Sequence, residues 1–521
     1  MKKKHQVKLF PDFMTFLDQK ENISFILKDN NIIGQIGSGF DKFNEITIKL
    51  IIQSMLNFLK AKNLEFFKFL IANDGSNKFM PLLENTMVDV ICCQQNKAYV
   101  FEKNTPIHEG FLKYSLDLVK DFSFAIFIKK YDNNNYALSF FSKSGEQLPN
   151  EILKNVMEIY KKINISDVTE FHDDPEELDF KKMLNEYSNY ILQKNFTKNA
   201  NHVLKIGILN TKLQNTFVKK ILGKNDIAYT VIKKHLKENR PQKINFSIAH
   251  LSSLKNVEYI LKFSYDYKKL YTYRRNFSKK LSIEYELLDI SDLIVNYLSF
   301  LNSYSKTNED FVEIKKIYSS RFVKKENIES MASRYKLEYK SNWTIDYKNI
   351  YQNTGLLYFD EDYNVFLASN KNYGYDGFVL LSILVDMFNY YKTQEMRYVN
   401  ISEQNLDLSS KIDINYFAYP CDASNIIDFE TKLFIQDSIA QIKFSSIEDI
   451  RTQMKGNYKY IAKFNFKDQE WLGIKYDIHQ KMLIFIVQET KSTSGNLAKK
   501  IKKYMAKFTK KYALPLLNIE A

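Results

Sequence analysis

The chain has 521 residues, 45% of them hydrophobic, which allows several domains with cores of their own and excludes a disordered chain. It has no run of about 18 apolar residues, and its opening MKKKHQVKLFPDF lacks the apolar core of a signal peptide, so a soluble cytoplasmic protein without a membrane span is expected. The net charge is +14, yet the basic residues are scattered and mostly lysine, so charge alone argues weakly for nucleic acid or an anionic membrane. The three cysteines, adjacent Cys92 and Cys93 and distant Cys421, form neither a disulfide framework nor a metal site. Abundant Lys, Asn, Ile, Phe and Tyr beside 14 Gly, 8 Pro and 2 Trp is the composition of an AT-rich genome.

In chain order, residues 1–30 are expected to form an extension. Ile36-Gly37-Ser38-Gly39-Phe40 and Phe43-Asn44-Glu45 then open a helix of about 20 residues, with Ile48, Ile51, Ile52, Met55 and Leu59 at helical spacing. Phe69 to Ala72 reads as a buried strand running through Asn73-Asp74-Gly75-Ser76 into a helix, and Thr105-Pro106 precedes another. Phe122 to Pro149, FSFAIFIKKYDNNNYALSFFSKSGEQLP, has the most specific shape. An apolar run, Phe124 to Ile128, meets the polar turn Lys129 to Asn135. An alternating run, Tyr136 to Phe141, then leads through Lys143-Ser144-Gly145 and Gln147-Leu148-Pro149 into a helical pattern. In an α/β enzyme the loop between such strands holds a catalytic group. Asp167 to Glu177, with His172-Asp173-Asp174-Pro175, reads as a solvated linker and the first boundary.

A helix from Phe180 to Lys194, a strand from His202 to Leu209, a helix from Leu213 to Leu222 and a strand from Ala228 to Ile232 predict a second α/β layer. VEYILKFSYDYKKLYTYRR, Val257 to Arg275, follows. A third unit starts near Asp310, with a strand to Ile317, Ser319-Ser320 and a helix from Lys325 to Lys336. Gly355 to Phe359 enters Asp360-Glu361-Asp362, and Tyr375-Asp376-Gly377 opens a helix from Phe378 to Lys392. In the last unit Tyr458 to Phe466, Trp471 to Tyr476 and Met482 to Gln488 alternate as antiparallel strands before an amphipathic basic helix, Asn496 to Lys511.

This order of elements resembles the α-D-phosphohexomutases, the phosphoglucomutase/phosphomannomutase family. The stretch 122–149 is similar to their active-site loop, GIxITASHNPxxYNGxKxY followed by a Gly and Gln-Leu, whose Ser carries the phosphate in transit. Aligned on Tyr136, Gly145, Gln147 and Leu148, Lys130 falls at that Ser, Tyr131 at the His and Asp132 at the Asn. A lysine ammonium cannot carry a phosphoryl group, so the resemblance implies the fold without the chemistry. Ile36 to Phe40 resembles the family's GTSGxR, with Asp41 at the Arg. Asp74 is kept from its Asp-x-Arg, with Ser76 at the Arg, and Thr105-Pro106 matches its Thr-Pro. The family's DPDADR, whose three carboxylates hold Mg²⁺, falls within Val257 to Arg275. There Ser264 and Lys268 replace two Asp, Asp266 keeps one and Lys269 stands at the Arg. Lys340 to Ile345, KSNWTI, lies at the sugar-orienting Gly-Phe-Lys without matching it. Asp360-Glu361-Asp362 lies at the sugar-binding Glu-Glu-Ser, and Tyr375-Asp376-Gly377 resembles Lys-Asp-Gly. The phosphate clamp Arg-Pro-Ser-Gly-Thr-Glu-Pro falls on Lys475-Tyr476-Asp477-Ile478-His479-Gln480-Lys481, without its glycine or its Ser and Thr hydroxyls. Asp477 there would repel phosphate, and His479 reads as a surface loop residue.

The resemblance implies an α/β protein of three consecutive α/β/α layer domains with mixed sheets (31–175, 176–300 and 301–409) and a C-terminal α+β domain with an antiparallel sheet (410–521). With nucleophile, metal cage, sugar selector and phosphate clamp all altered, it implies a catalytically inactive member without cofactor or metal. Such a chain would serve as a structural or interaction subunit of a larger cytoplasmic assembly, its 35 Tyr and 40 Phe supplying interface anchors. The alternative is a divergent enzyme or sugar-phosphate sensor in which Asp360 and Glu361 bind the sugar and Lys129, Lys130, Lys268 and Lys269 hold its phosphate. The plainer expectation for the acidic triplet is a hairpin turn with solvated acids. Nucleic-acid binding ranks last, for want of an aromatic-basic motif or a concentrated patch.

Overall fold

The computed structural model describes residues 25–513 apart from 63, 65, 120, 133, 171–173, 194–203, 210–213, 225, 235, 237–239, 248–249, 278–282, 305–313, 342–354, 368–373, 395–411, 456–457, 468, 479 and 491–496. Four main sheets follow one another along the chain, three of them mixed and the last antiparallel, as the sequence predicts, with a two-stranded ribbon, Ser438–Ile439 against Ile442–Lys443, beside them among the described residues.

The first unit comprises β1 (Ile26–Lys28), β2 (Asn31–Ile36), α1 (Glu45–Lys60), β3 (Lys68–Asn73), α2 (Met80–Ile91), β4 (Lys97–Phe101), α3 (Glu109–Leu118), β5 (Phe124–Lys130), β6 (Tyr136–Ser142), α4 (Asn150–Lys162) and β7 (Glu176–Leu178). Its sheet is ordered β1-β2-β6-β5-β3-β4-β7, with the two-residue strand Lys42–Phe43 beside β2. Central β5 is apolar on both faces because helices cover both. The Asn44 side chain accepts from the Thr47 amide and the Thr47 hydroxyl accepts from the Asn44 amide, a capping box that starts α1 where the sequence placed it. Both edges of this sheet reach beyond the expected elements. Phe25 is buried and β1 pairs with β2, so the sheet begins inside the expected extension. Glu176–Leu178, inside the expected linker, runs parallel to β4, and 171–173 lie outside the described residues.

The second unit comprises α5 (Phe180–Leu192), β8 (Lys205–Leu209), α6 (Gln214–Lys224), β9 (Ala228–Ile232), β10 (Lys243–Phe246), β11 (Tyr259–Phe263), β12 (Leu270–Arg275), β13 (Ile283–Leu287) and α7 (Ile290–Tyr304). Its sheet is ordered β9-β8-β11-β12-β13-β10, parallel as far as β11 and antiparallel beyond. The third has β14 (Lys316–Ser319), α8 (Lys325–Arg334), β15 (Glu338–Ser341), β16 (Leu356–Phe359), β17 (Val365–Leu367) and α9 (Gly377–Thr393), ordered β15-β14-β16-β17. Of the KSNWTI stretch only Lys340 and Ser341 lie among the described residues. The fourth has β18 (Ile412–Pro420), α10 (Ile426–Phe434), β19 (Ser446–Asp449), β20 (Tyr458–Asn465), β21 (Trp471–Asp477), β22 (Met482–Thr490) and α11 (Leu497–Tyr512), ordered β18-β22-β21-β20-β19.

One apolar core runs through the first three units, and smaller cores fill the other side of the first sheet and the fourth unit. Phe322 of the third unit inserts among Ile450, Tyr460, Trp471 and Ile486 of the fourth, an apolar contact that seats one on the other. Position 473 is glycine because a Cβ there would run into the Phe322 ring. Among the described residues no helix is long and apolar enough to cross a membrane.

Candidate functional site

The β5–β6 turn places the first two candidate residues. The strands pair Lys129 with Ala137 and Lys130 with Tyr136, and the Asp132 carboxylate accepts from the Asn134 and Asn135 amides to close the turn. Adjacent strand residues face opposite sides, so the two lysines separate. The Lys130 amide donates to Asp74 Oδ2 (2.7 Å), and its side chain lies over the Tyr265 ring, Nζ 5.2 Å from the centroid. Burial raises the Asp74 carboxyl despite the hydrogen bonds it accepts from Ser76 and Lys130. Lys129 is buried, and its Nζ lies 2.6 Å from Glu109 Oε2.

Glu109 is the centre of a buried cluster. It occupies the first turn of α3, where the helix dipole favours a carboxylate, directly after the cap His108, whose Nδ1 accepts from the Phe111 amide. Its Oε1 pairs with Lys113 (2.9 Å) and its Oε2 with Lys129 and Lys268 (2.9 Å). Burial alone would raise this carboxyl, but the three ammonium groups outweigh it and hold the group well below the usual range. Lys129 is lowered by burial and by its ammonium neighbours Lys268 and Lys113, against the pull of Glu109.

Lys268 comes from the β11–β12 turn, which also carries Ser264, Asp266 and Lys269. Exposed Asp266 accepts from the Ser264 hydroxyl (2.5 Å) and the Lys268 amide (3.2 Å), while Ser264 Oγ accepts from the Lys269 amide (3.0 Å). One carboxylate committed within its own turn, beside an ammonium paired elsewhere, does not fit a magnesium site, which needs several oxygen ligands. The turn serves packing instead: the Gly377 amide at the start of α9 donates to the Tyr267 carbonyl (2.8 Å), and a Cβ at 377 would lie 2.6 Å from that oxygen.

The second cluster contains the acidic triplet. Asp360, Glu361 and Asp362 form the expected β16–β17 hairpin turn, but all three are buried where solvated acids were expected. Asp360 shapes the turn by accepting from the Asp362 and Asn364 amides and the Tyr358 hydroxyl. Glu361 accepts from the hydroxyls of Ser320 and Tyr460, and its Oε1 lies 2.9 Å from Lys475 Nζ. Asp362 Oδ2 lies 2.7 Å from the same ammonium, and Oδ1 lies 3.9 Å from Arg240. Arg240 also donates to the Glu361 carbonyl (2.8 Å) and packs 4.7 Å from the Tyr416 ring centroid. Burial would raise Asp362, yet Lys475 and Lys269 hold it below the usual carboxylate range. Burial opposes the charges of Lys475 and Lys269, but Asp362 and Glu361 raise Lys475, and Tyr271 and then Asp362 raise Lys269. Lys475 is not the loop residue expected. It lies in β21 with Tyr476 and Asp477, so its Nζ reaches across from the fourth unit into the third.

No family model and no curated protein matches the sequence, but solved structures match the whole architecture. A protein assigned as a phosphomannomutase from Thermus thermophilus superposes with a TM-score of 0.66 at 10% identity, over 93% of this chain and 99% of that one. The chain has the phosphohexomutase fold. A phosphoglucomutase/phosphomannomutase family protein from Burkholderia thailandensis gives 0.59 at 12% identity, covering 93% and 97%. The open form of the Paramecium phosphoglucomutase pp63/parafusin gives 0.60 at 12% identity, covering 89% and 92%.

Within this phosphohexomutase fold the expected positions do meet at the junction of the units, divided in two. Lys129 and Lys268 share Glu109, Lys269 lies with Asp362 in the second cluster, and Lys130 turns to Tyr265. Position 479 lies outside the described residues. Glu109, Lys113 and Arg240 had no signal in the sequence: an acid in the first turn of a helix is ordinary, and Arg240 belongs to no motif.

Proposed function

We propose that this chain is a catalytically inactive phosphohexomutase-like protein that works as a structural or interaction subunit of a larger cytoplasmic assembly. One observation carries the reading: the groups aligned with nucleophile, metal loop, sugar loop and phosphate loop are engaged with one another or with neighbours inside the protein. Lys129 and Lys268 are paired with Glu109, and Glu361 and Asp362 with Lys475. A hexose phosphate would have to compete with Glu109 for the ammonium groups around it, and with two buried carboxylates for Lys475. The remaining cation of the first turn, Lys130, offers an ammonium and no oxygen to carry phosphate.

The alternative, a sugar-phosphate sensor or rebuilt enzyme, requires those pairs to open for a ligand. A thermal-shift titration with glucose and mannose phosphates separates the two, because a ligand at a hundred times its Kd stabilises by about 2.7 kcal/mol. The proposal expects no shift, whereas a saturable shift lost in Lys268→Ala would favour the sensor. Native sizing of the tagged protein drawn from its own cells tests the assembly. Stoichiometric companions in one large particle are expected, and a lone monomer would overturn it.

A further inference from the structure

Helix α11 differs from the rest of this basic chain in how its charge is placed. It carries Lys499, Lys500, Lys502, Lys503, Lys507, Lys510 and Lys511 and no acidic residue, and all seven lysines are exposed. The sequence reading of scattered charge therefore does not hold here. Its apolar side, Ile501, Met505 and Phe508, is buried against the fourth sheet, so the lysine side is the outer one.

Helix α10 lies antiparallel beside it. Asn425 reaches the Ala513 carbonyl at one end, Phe429 packs on Phe508 in the middle (5.4 Å between centroids), and Tyr504 donates to Gln436 at the other. α10 and its C-cap display two large apolar side chains, Ile427 at 70% exposure and Ile435 at 68%. Burying Ile426, Phe429 and Leu433 already anchors α10, so the two isoleucines add nothing to its packing. The two helices thus form a layer that presents isoleucine beside a row of ammonium groups, with half-buried Tyr504 and Tyr512 between them.

We propose that the α10–α11 face is a docking surface for an anionic phospholipid bilayer. Lysines on one helix beside exposed isoleucines on its neighbour suit a surface whose headgroups are negative and whose interior is apolar, although exposed Asp428 and Asp437 flank the isoleucines. A nucleic acid would use the ammonium groups and leave Ile427 and Ile435 in water, and among the described residues the face offers only half-buried aromatic rings for base stacking. The charges are lysines spread over four helical turns rather than a fork that grips one group, which matches a fluid headgroup layer better than one shaped partner.

The test is flotation of the full chain with vesicles of phosphatidylcholine alone or with phosphatidylserine, at low and at high salt. The proposal expects about tenfold or more protein on the anionic vesicles, with most of it released by salt. Reversing the row (Lys500→Glu, Lys503→Glu, Lys507→Glu) should abolish binding, and neutralising it to Gln gives the same reading if reversal impairs folding. Ile427→Ser with Ile435→Ser should remove the fraction that resists salt while keeping the melting temperature. Equal binding to neutral and anionic vesicles, or no binding, overturns the proposal. So does lysine-dependent capture of RNA or of an acidic polypeptide without vesicle binding.

Discussion

At the scale of single residues the account rests on Glu109. Buried ion pairs add little over well-packed apolar side chains, but removing one partner leaves an uncompensated charge and costs about 3–5 kcal/mol. Glu109→Gln should therefore destabilise the chain by that amount in urea unfolding, whereas a loss under about 1 kcal/mol would mean the lysines relax into solvent. The neighbouring His108 gives a pH signature. Its ring is buried among Phe217 and Phe378, and burial lowers it from 6.5 to about 4. The unfolded chain therefore binds a proton first as pH falls, so the stability tied to neutral His108 is whole above pH 6.5 and is lost as pH drops towards 4. Linkage puts the loss at about 3 kcal/mol. His108→Asn keeps a capping oxygen without a titrating ring, and its stability should fall less steeply over that window than the parent's. The strand-flanked turn that carries Lys130 was legible in the sequence, because apolar and alternating runs bracket it. Arg240 was not, because a partner 122 positions away leaves no local pattern, and Glu109 showed only the ordinary i,i+4 spacing to Lys113.

At the scale of elements, periodicity and caps worked where elements are long. The helix expected from Phe378 to Lys392 is Gly377–Thr393, started by Asp376, which accepts from the Phe378 and Val379 amides. Asp376 also accepts from the buried Tyr187 hydroxyl, so Asp376→Ala removes a cap and strands a phenol. A loss of about 2–4 kcal/mol is expected in denaturant unfolding, and one no larger than an exposed cap's would show the Tyr187 bond to be unimportant. The misses have physical causes. β7 is three residues of Glu-Glu-Leu, too short and polar to show a period. Lys475 was placed in a loop by the family alignment, whereas burial on both faces of β21 makes Trp471–Asp477 a central strand. At the seam of the third and fourth units, Gly473→Ala must displace the Phe322 ring. It should cost about 1–3 kcal/mol, read as a lower urea midpoint, and an unchanged midpoint would show the seam to be loose.

At the scale of the whole molecule, the order of strands and helices was enough to give the architecture, although identity to the matched structures is only 10–12%. Fold is held by patterning that tolerates such drift, while activity lives in a few side chains that do not. What the order of elements could not reveal is which charged side chains pair across the units. Glu109–Lys268 ties the first unit to the second, and Arg240–Asp362–Lys475 ties the second to the third and fourth. These buried ion pairs hold the units together. The most direct test is to follow conversion of glucose 1-phosphate and mannose 1-phosphate to their 6-phosphates by the purified full chain with Mg²⁺. The account predicts none above the protein-free rate. Turnover that disappears in Asp266→Ala or Lys130→Ala would contradict it and restore the chain to the enzymes.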